Sequence, residues 1–522
     1  MKTPNQTPDM PTRTNPRRIL AATLLSLGLG LVIPASLHAA TLDWTRTAEE
    51  GEGNWSTAEN WTNDTIPVTG DTIRINNGGT VLISAGTAAA GANLKLFGTA
   101  STLNVTGGTL SLTSALEISA EGNPASGVLN QSGGIITASS MRFGVSGGSR
   151  VGTYNLSGDG TLMITNTVNL GYQGHGYFTQ TGGSASFGLL NIVNAVHDAN
   201  TTSFTYGTYE ISAGSLSTTG DLRNGAWGTS TGRGNGAATL RVVGSQATAI
   251  NVGANYVTGI QKATAGASGI MGRRSSTLDV SIDNGGLTKI NLTNDTASAV
   301  VVGELKAGIK GGVALTQSDK FTVLEAGTGK IATTRTDNVR TGGTTETPVM
   351  SELTSTLFSN STLFDYAVES ISDTRDALQI SFKDAAGQGT LALVPDTLGE
   401  LALGSGATAG FVTMSGLTAG NDVSIYLNVS LGTGKTSADL MTYFTENGIV
   451  ASAIDEGAYN ILVTMTAAAQ SGYFAWDFSG FDINTTLVAL GAYTTAVVPE
   501  PASFVFVFGL LIFAAILVRR RK

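Results

Sequence analysis

The sequence predicts an all-β chain: a right-handed parallel β-helix (β-solenoid) followed by a smaller β-rich domain and a C-terminal transmembrane helix. Three observations lead there. A short phrase recurs through the first half of the chain at intervals of 24 to 31 residues. Glycine is abundant, 68 of 522 residues, and gathers where those phrases turn. Near the C-terminus an apolar run, Phe504 to Val518, stands between prolines and cations.

Residues 1–40 read as a secretory signal peptide. Arg13, Arg17 and Arg18 form a basic region, Ile19 to Ile33 is apolar, and Pro34 to Ala40 ends in the small residues that a signal peptidase accepts. Gly28, Gly30 and Pro34 interrupt the run, which argues against a first membrane-spanning helix. Ile19-Leu20-Ala21 is a poor continuation for a twin-arginine signal, so Sec export is the expectation. The mature chain then starts near Thr41.

Residues 41–75 are expected to form an N-terminal cap. Trp44, Trp55 and Trp61 fall within 18 residues, ahead of the repeats, and a solenoid must cover its open apolar end. The same flat rings could stack on sugar faces, which makes Trp55 and Trp61 candidate glycan contacts.

Residues 76–330 carry the repeats and are expected to be the solenoid. The phrases begin at Ser101, Gly127, Gly152, Gly176, Gly207 and, more loosely, Ala238, spaced by 26, 25, 24, 31 and 31 residues. Each starts as an alternating strand (Thr102-Leu103-Asn104-Val105), reaches a Gly-Gly or Ser-Gly turn, and runs into two further short strands. Three short strands in about 25 residues suit one coil of a parallel β-helix, whereas a propeller blade needs about 40–45. Glycines supply the positive φ that sharp corners need, while alternate apolar residues point inward. Tyr172 and Tyr177 flank the glycine-rich corner around His175 and join the candidate glycan contacts.

Residues 331–352, rich in Thr, Arg and Gly, read as a linker. Residues 353–495 read as a separate β-rich domain, with strands at 378–382, 423–427 and 460–464 and one helix at Ser437 to Glu446. Residues 497–522 form the tail. Pro499, Glu500 and Pro501 keep an extended, accessible segment. The apolar run that follows is at the short end of the roughly 17–25 residues a spanning helix needs. Arg519, Arg520, Arg521 and Lys522 would anchor it on the cytoplasmic side.

The order of motif, apolar run and basic cluster resembles the PEP-CTERM sorting signal of Gram-negative bacteria. The Asn54-Trp55, Asn60-Trp61, Pro67 and Gly70-Asp71 pattern resembles the start of autotransporter-like β-helical surface proteins. The first resemblance implies processing by an exosortase-type membrane peptidase and an initial hold on the inner membrane through the C-terminal helix. It also implies a final location on the cell surface or in the extracellular matrix, with exopolysaccharide as a further expected partner.

Composition is consistent with that destination. With no cysteine the chain has neither disulfides nor thiol chemistry. Charged residues make up 13%, about half the usual share, and the net charge is −9, so nucleic acid is not expected as a partner. No cofactor, metal site or catalytic residue is assigned. Leu431 to Ser437 imitates a phosphate loop, but Val429 stands where its first glycine should be. His175 and His197 have no second histidine at metal spacing, and Asp283-Asn284-Gly285-Gly286 is explained by turn chemistry. Charged residues between 101 and 250, among them Glu117, Arg142, Glu210, Asp221, Arg223 and Arg241, show no pair recurring in equivalent register. The expected function is a non-catalytic structural or adhesive surface protein. The alternatives are a carbohydrate-binding module and a β-helical polysaccharide lyase or hydrolase.

Overall fold

The computed structural model describes residues 39–121, 126–145, 150–193, 204–225, 235–258, 274–316, 319–343, 348–447, 449–456 and 458–495. The expected signal peptide up to residue 38, the tail with its expected sorting motif and membrane helix, and His197 lie outside the described residues. Within them the chain is all-β apart from short 3-10 turns and one α-helix, Ser437–Glu446, where the sequence placed it. No helix among the described residues is long and apolar enough to cross a membrane.

The repeats build three parallel ladders. The first climbs from Glu52–Asn54 through Thr80–Ile83, Ser101–Val105, Ser126–Gln131 and Val151–Leu156, and on to Gly303–Ile309. The second starts at Ala88–Gly91 and passes through Thr109–Leu112, Ile135–Ala138 and Ile290–Leu292 to Lys320–Gly327. The third starts at Thr41–Asp43 and passes through Thr72–Ile75, Asn93–Leu96 and Ala115–Ile118 to Ile331–Ala332. Long strands such as His175–Asn191 bend through corners and serve all three.

Register follows the repeated phrase residue for residue. Gly127 pairs with Ser101 and Gly152, Gly152 with Gly176, Gly176 with Gly207, and Gly207 with Ala238. Strand alternation then stacks like on like inside. Val81, Leu103, Leu129, Tyr154, Phe178, Tyr209, Leu240, Leu278 and Leu305 form one inward row, each at most 2% exposed. Its aromatic members lie nearly parallel, Tyr154 on Phe178 at 4.7 Å and Phe178 on Tyr209 at 4.6 Å. Such pairs add about 0.5–1.5 kcal/mol each beyond their burial. The phrase-closing glycines Gly108, Gly134, Gly158, Gly183 and Gly214 all have positive φ, as the turns require.

Three boundaries differ from expectation. Residues 41–75 do more than cover the end, because Thr41–Asp43, Glu52–Asn54 and Thr72–Ile75 are themselves ladder strands. The expected linker 331–352 is not a linker: Ile331–Ala332 closes the third ladder, and Thr334–Gly343 pairs antiparallel with Pro348–Ser359. Its Thr and Gly content suggested a loop, but β-branched residues also suit a strand once a partner is present. The domain expected at 353–495 begins inside the stack. Leu357–Ser359 continues the first ladder, and Arg375–Phe382 pairs antiparallel with Lys320–Gly327. This switch of direction ends the parallel growth. Beyond it, two small sheets share a second core with the helix residues Leu440 and Phe444. One of those sheets takes Val313–Thr316 from the repeat region, so the two parts interlock.

Candidate functional site

The outward face of the stack carries the polar residues, and the in-register stacking lines them up. Asn104, Asn130 and Asn155 pass one side-chain hydrogen bond each down a row at 2.9 and 2.8 Å, and Asn104 donates to Glu52 at 2.7 Å. Charges align across coils as well, as the sequence allowed, although Asp221 and Arg223, the pair it singled out, bond within one coil at 2.7 Å. Glu117 and Arg142 are neighbours on adjacent strands, 3.8 Å apart. Glu210, Arg241 and Asp279 occupy one row on three successive strands, with Arg241 3.3 Å from Glu210 and 3.0 Å from Asp279. The intervals between these residues vary with loop length, so sequence spacing hid the alignment. Partly exposed pairs of this kind contribute about 0–1 kcal/mol each and leave their charges neutralised.

The four candidate glycan contacts separate. Trp55 and Trp61 are each 1% exposed, and both rings pack edge-on within a cluster, Trp44 to Trp61 at 5.0 Å and Trp55 to Trp61 at 4.9 Å. Trp61 Nε1 donates to the Trp55 carbonyl at 2.8 Å. Their faces are closed to a sugar, and they serve the covering role. Tyr172 is half-buried beneath the Arg142 guanidinium, 5.4 Å from its ring centre. Tyr177 is 38% exposed on the outer face.

Tyr177 has company there that the sequence reading missed. Gly176 pairs with Gly207, so Tyr206 stands beside His175 on the next strand, and Phe204 lies two residues along on the same face. The His175 and Tyr206 rings are 5.0 Å apart, and those of Tyr206 and Phe204 are 4.7 Å apart. Phe204 and Tyr206 are 38% and 44% exposed. The signal was present as Phe204-Thr205-Tyr206, an alternating stretch just ahead of the Gly207 phrase. The repeated phrase begins at the glycine, so its alignment leaves these two rings outside it.

The surroundings of His175 favour its uncharged form. His175 Nδ1 accepts the Tyr206 backbone N–H at 3.1 Å, which requires an unprotonated nitrogen at that position. Burial also lowers the affinity of its imidazole for a proton.

The other polar features singled out in the sequence are engaged locally. Asp283 accepts from the Ser245 amide and hydroxyl at 3.0 and 2.8 Å and from the Gly285 amide at 2.9 Å, which fixes the turn. That turn borders a cleft of about 450 Å³ lined also by Asn284, Lys310, Asn447 and Met465. The phosphate-loop imitation leads into a helix whose first turn is already capped, Thr436 and Asp439 bonding reciprocally. The Gly432 amide is taken by the Thr485 hydroxyl at 3.2 Å. Burial opposes the charged form of Asp221, but donors from Arg223 and Asn255 hold its carboxyl below the usual range. A general acid working near neutral pH needs the opposite shift. Among the described residues no group of three or more His, Asp or Glu is placed to hold a metal ion.

Comparison of the chain with protein-family models, with curated proteins and with solved structures finds no match.

Proposed function

We propose that this chain is a non-catalytic, exported protein of the cell surface or extracellular matrix. Its body is a right-handed parallel β-solenoid that works as a stiff, weakly charged spacer. One observation carries the reading: six copies of the phrase stack in a single register, with Thr, Ser and Asn rows outside and an apolar column inside. Crossovers between parallel strands are right-handed in nearly all proteins, which supplies the hand. A rod of this kind gains length by adding coils, and its surface meets water through hydroxyls and amides that carry no strong field.

Delivery rests on the two end segments. The basic, apolar and small-residue order of the first 40 residues supports secretion. Pro499-Glu500-Pro501, the apolar run and Arg519 to Lys522 support recognition by an exosortase-type peptidase at the inner membrane. The absence of cysteine and the low charge suit a protein left outside the cell.

The test is location. Intact native cells treated with a non-penetrating protease should lose the protein, and the extracted matrix should contain it. Full protection until the cells are lysed would overturn the reading.

A further inference from the structure

We propose that His175, Tyr177, Phe204 and Tyr206 form a docking platform for an uncharged polysaccharide chain. The proposal deepens the surface-protein reading by giving the rod a ligand class and a place to hold it.

The first support is the geometry of the rings. Tyr177, Phe204 and Tyr206 remain 38–44% exposed, although the same strands bury Phe178 and Tyr209 almost completely. All four rings project from one side of two hydrogen-bonded strands, His175–Asn191 and Phe204–Thr218. In register, Phe204 and Tyr177 lie four residue steps apart, roughly 13 Å along the strands. That length suits two or three pyranose rings. The apolar C–H faces of a pyranose need such flat, apolar ring surfaces.

The second support is what surrounds them. Tyr177 stands in register between Thr153 and Thr208, so hydroxyls flank the ring on both neighbouring strands. They can exchange hydrogen bonds with sugar hydroxyls at the edge of the apolar patch. The next charged residue along the Thr208 strand, Glu210, is tied to Arg241.

Charge and area select the occupant. The net charge of −9 over the whole chain disfavours a uronate-rich or sulfated polymer, and the ring faces themselves carry no formal charge, which suits a neutral glycan. The three aromatic side chains of about 200 Å² each that are exposed by some two fifths offer roughly 240 Å², against about 800 Å² per partner in a standard protein interface. A second copy or another folded protein is poorly served by so small a patch. A linear glycan is well served by it.

The experiment is affinity electrophoresis of the full secreted chain in native gels containing dextran, laminarin, arabinoxylan or alginate. At least one of the three neutral polymers should retard the wild type, and raising the salt should leave the retardation unchanged. The Phe204→Ala/Tyr206→Ala double variant should bind about tenfold more weakly, the expected loss of two ring contacts. Its circular dichroism spectrum should match the wild type and its melt should stay cooperative, with a midpoint only slightly lower, because neither side chain belongs to the buried core. Tyr177→Ala should weaken binding by a smaller factor. No retardation by any neutral polymer would overturn the proposal. So would wild-type retardation of the double variant, or retardation by alginate alone that salt abolishes. The surface-protein reading is judged separately: a double variant that still reaches the matrix retains that reading, while a wild type confined within the cell defeats it and leaves the binding result standing.

Discussion

Gln131 and Gln180 are fully buried amides in an otherwise apolar column, and each completes a small polar knot. Gln180 Oε1 accepts the Tyr209 hydroxyl from the next strand at 2.7 Å, while Nε2 donates to the carbonyls of Gly183 and Ser215 at 3.3 and 2.9 Å. Gln131 does the same for Tyr154, Gly134 and Thr161. Replacing Gln180 by Leu keeps most of the volume but strands a phenol and two carbonyls, which should lower unfolding stability by about 1–3 kcal/mol. Urea titration measures it, and Gln180→Leu/Tyr209→Phe should recover part of the loss. His175 gives a pH signature. Its imidazole binds a proton less readily folded than unfolded, so the unfolded chain takes up the proton first as the pH drops. Stability should therefore fall as the pH descends from the unfolded value near 6.5 toward the lower folded one. His175→Gln should flatten that part of the wild-type profile; an unchanged slope would contradict the lowered proton affinity that burial gives this imidazole.

At the scale of the element, the turn glycines set where each strand ends. Gly134 has φ 67°, and a Cβ there would stand 2.5 Å from the Gly107 carbonyl of the coil before it. Gly86 has φ 84° with open space around it. Gly86→Ala should cost only the backbone term, about 1–2 kcal/mol. Gly134→Ala adds a clash with backbone that the stacked coil holds in place. Its midpoint in urea should drop clearly further, and equal losses would contradict the tight stacking of the turns. This contrast also shows what the sequence makes legible. The phrase could be aligned by eye because glycine and alternation are both local, and the strand pairing repeats that alignment. The Thr334–Gly343 and Pro348–Ser359 hairpin was not legible, since its stability depends on long-range pairing to a strand ending at Ile309. The aromatic patch fell between these cases: Tyr177 was readable, while Tyr206 became its neighbour only through the Gly176–Gly207 register.

For the whole molecule, the repeat region and the C-terminal sheets are mutually dependent. Val313–Thr316 lies in the repeat half of the chain but forms an edge of a C-terminal sheet against Ser471–Asp477. In return, Arg375–Phe382 covers Lys320–Gly327 and supplies Leu378 and Ile380 to the core of the stack. A fragment spanning residues 41–330 should lack this closure and expose a parallel edge, so it should aggregate or melt without cooperativity. Circular dichroism and gel filtration check this. A soluble, monomeric fragment with a sharp melt would instead support the two-domain division that composition suggests. In the proposed function the two end segments are assigned to delivery, and the stacked body is what would be delivered.

The most direct measurement of that account is intact-mass and terminal-peptide spectrometry on the protein recovered from native cells. Export and tail processing require a chain that starts near Thr41 and has lost the Arg519 to Lys522 cluster. A chain that keeps both Met1 and Lys522 would contradict the account.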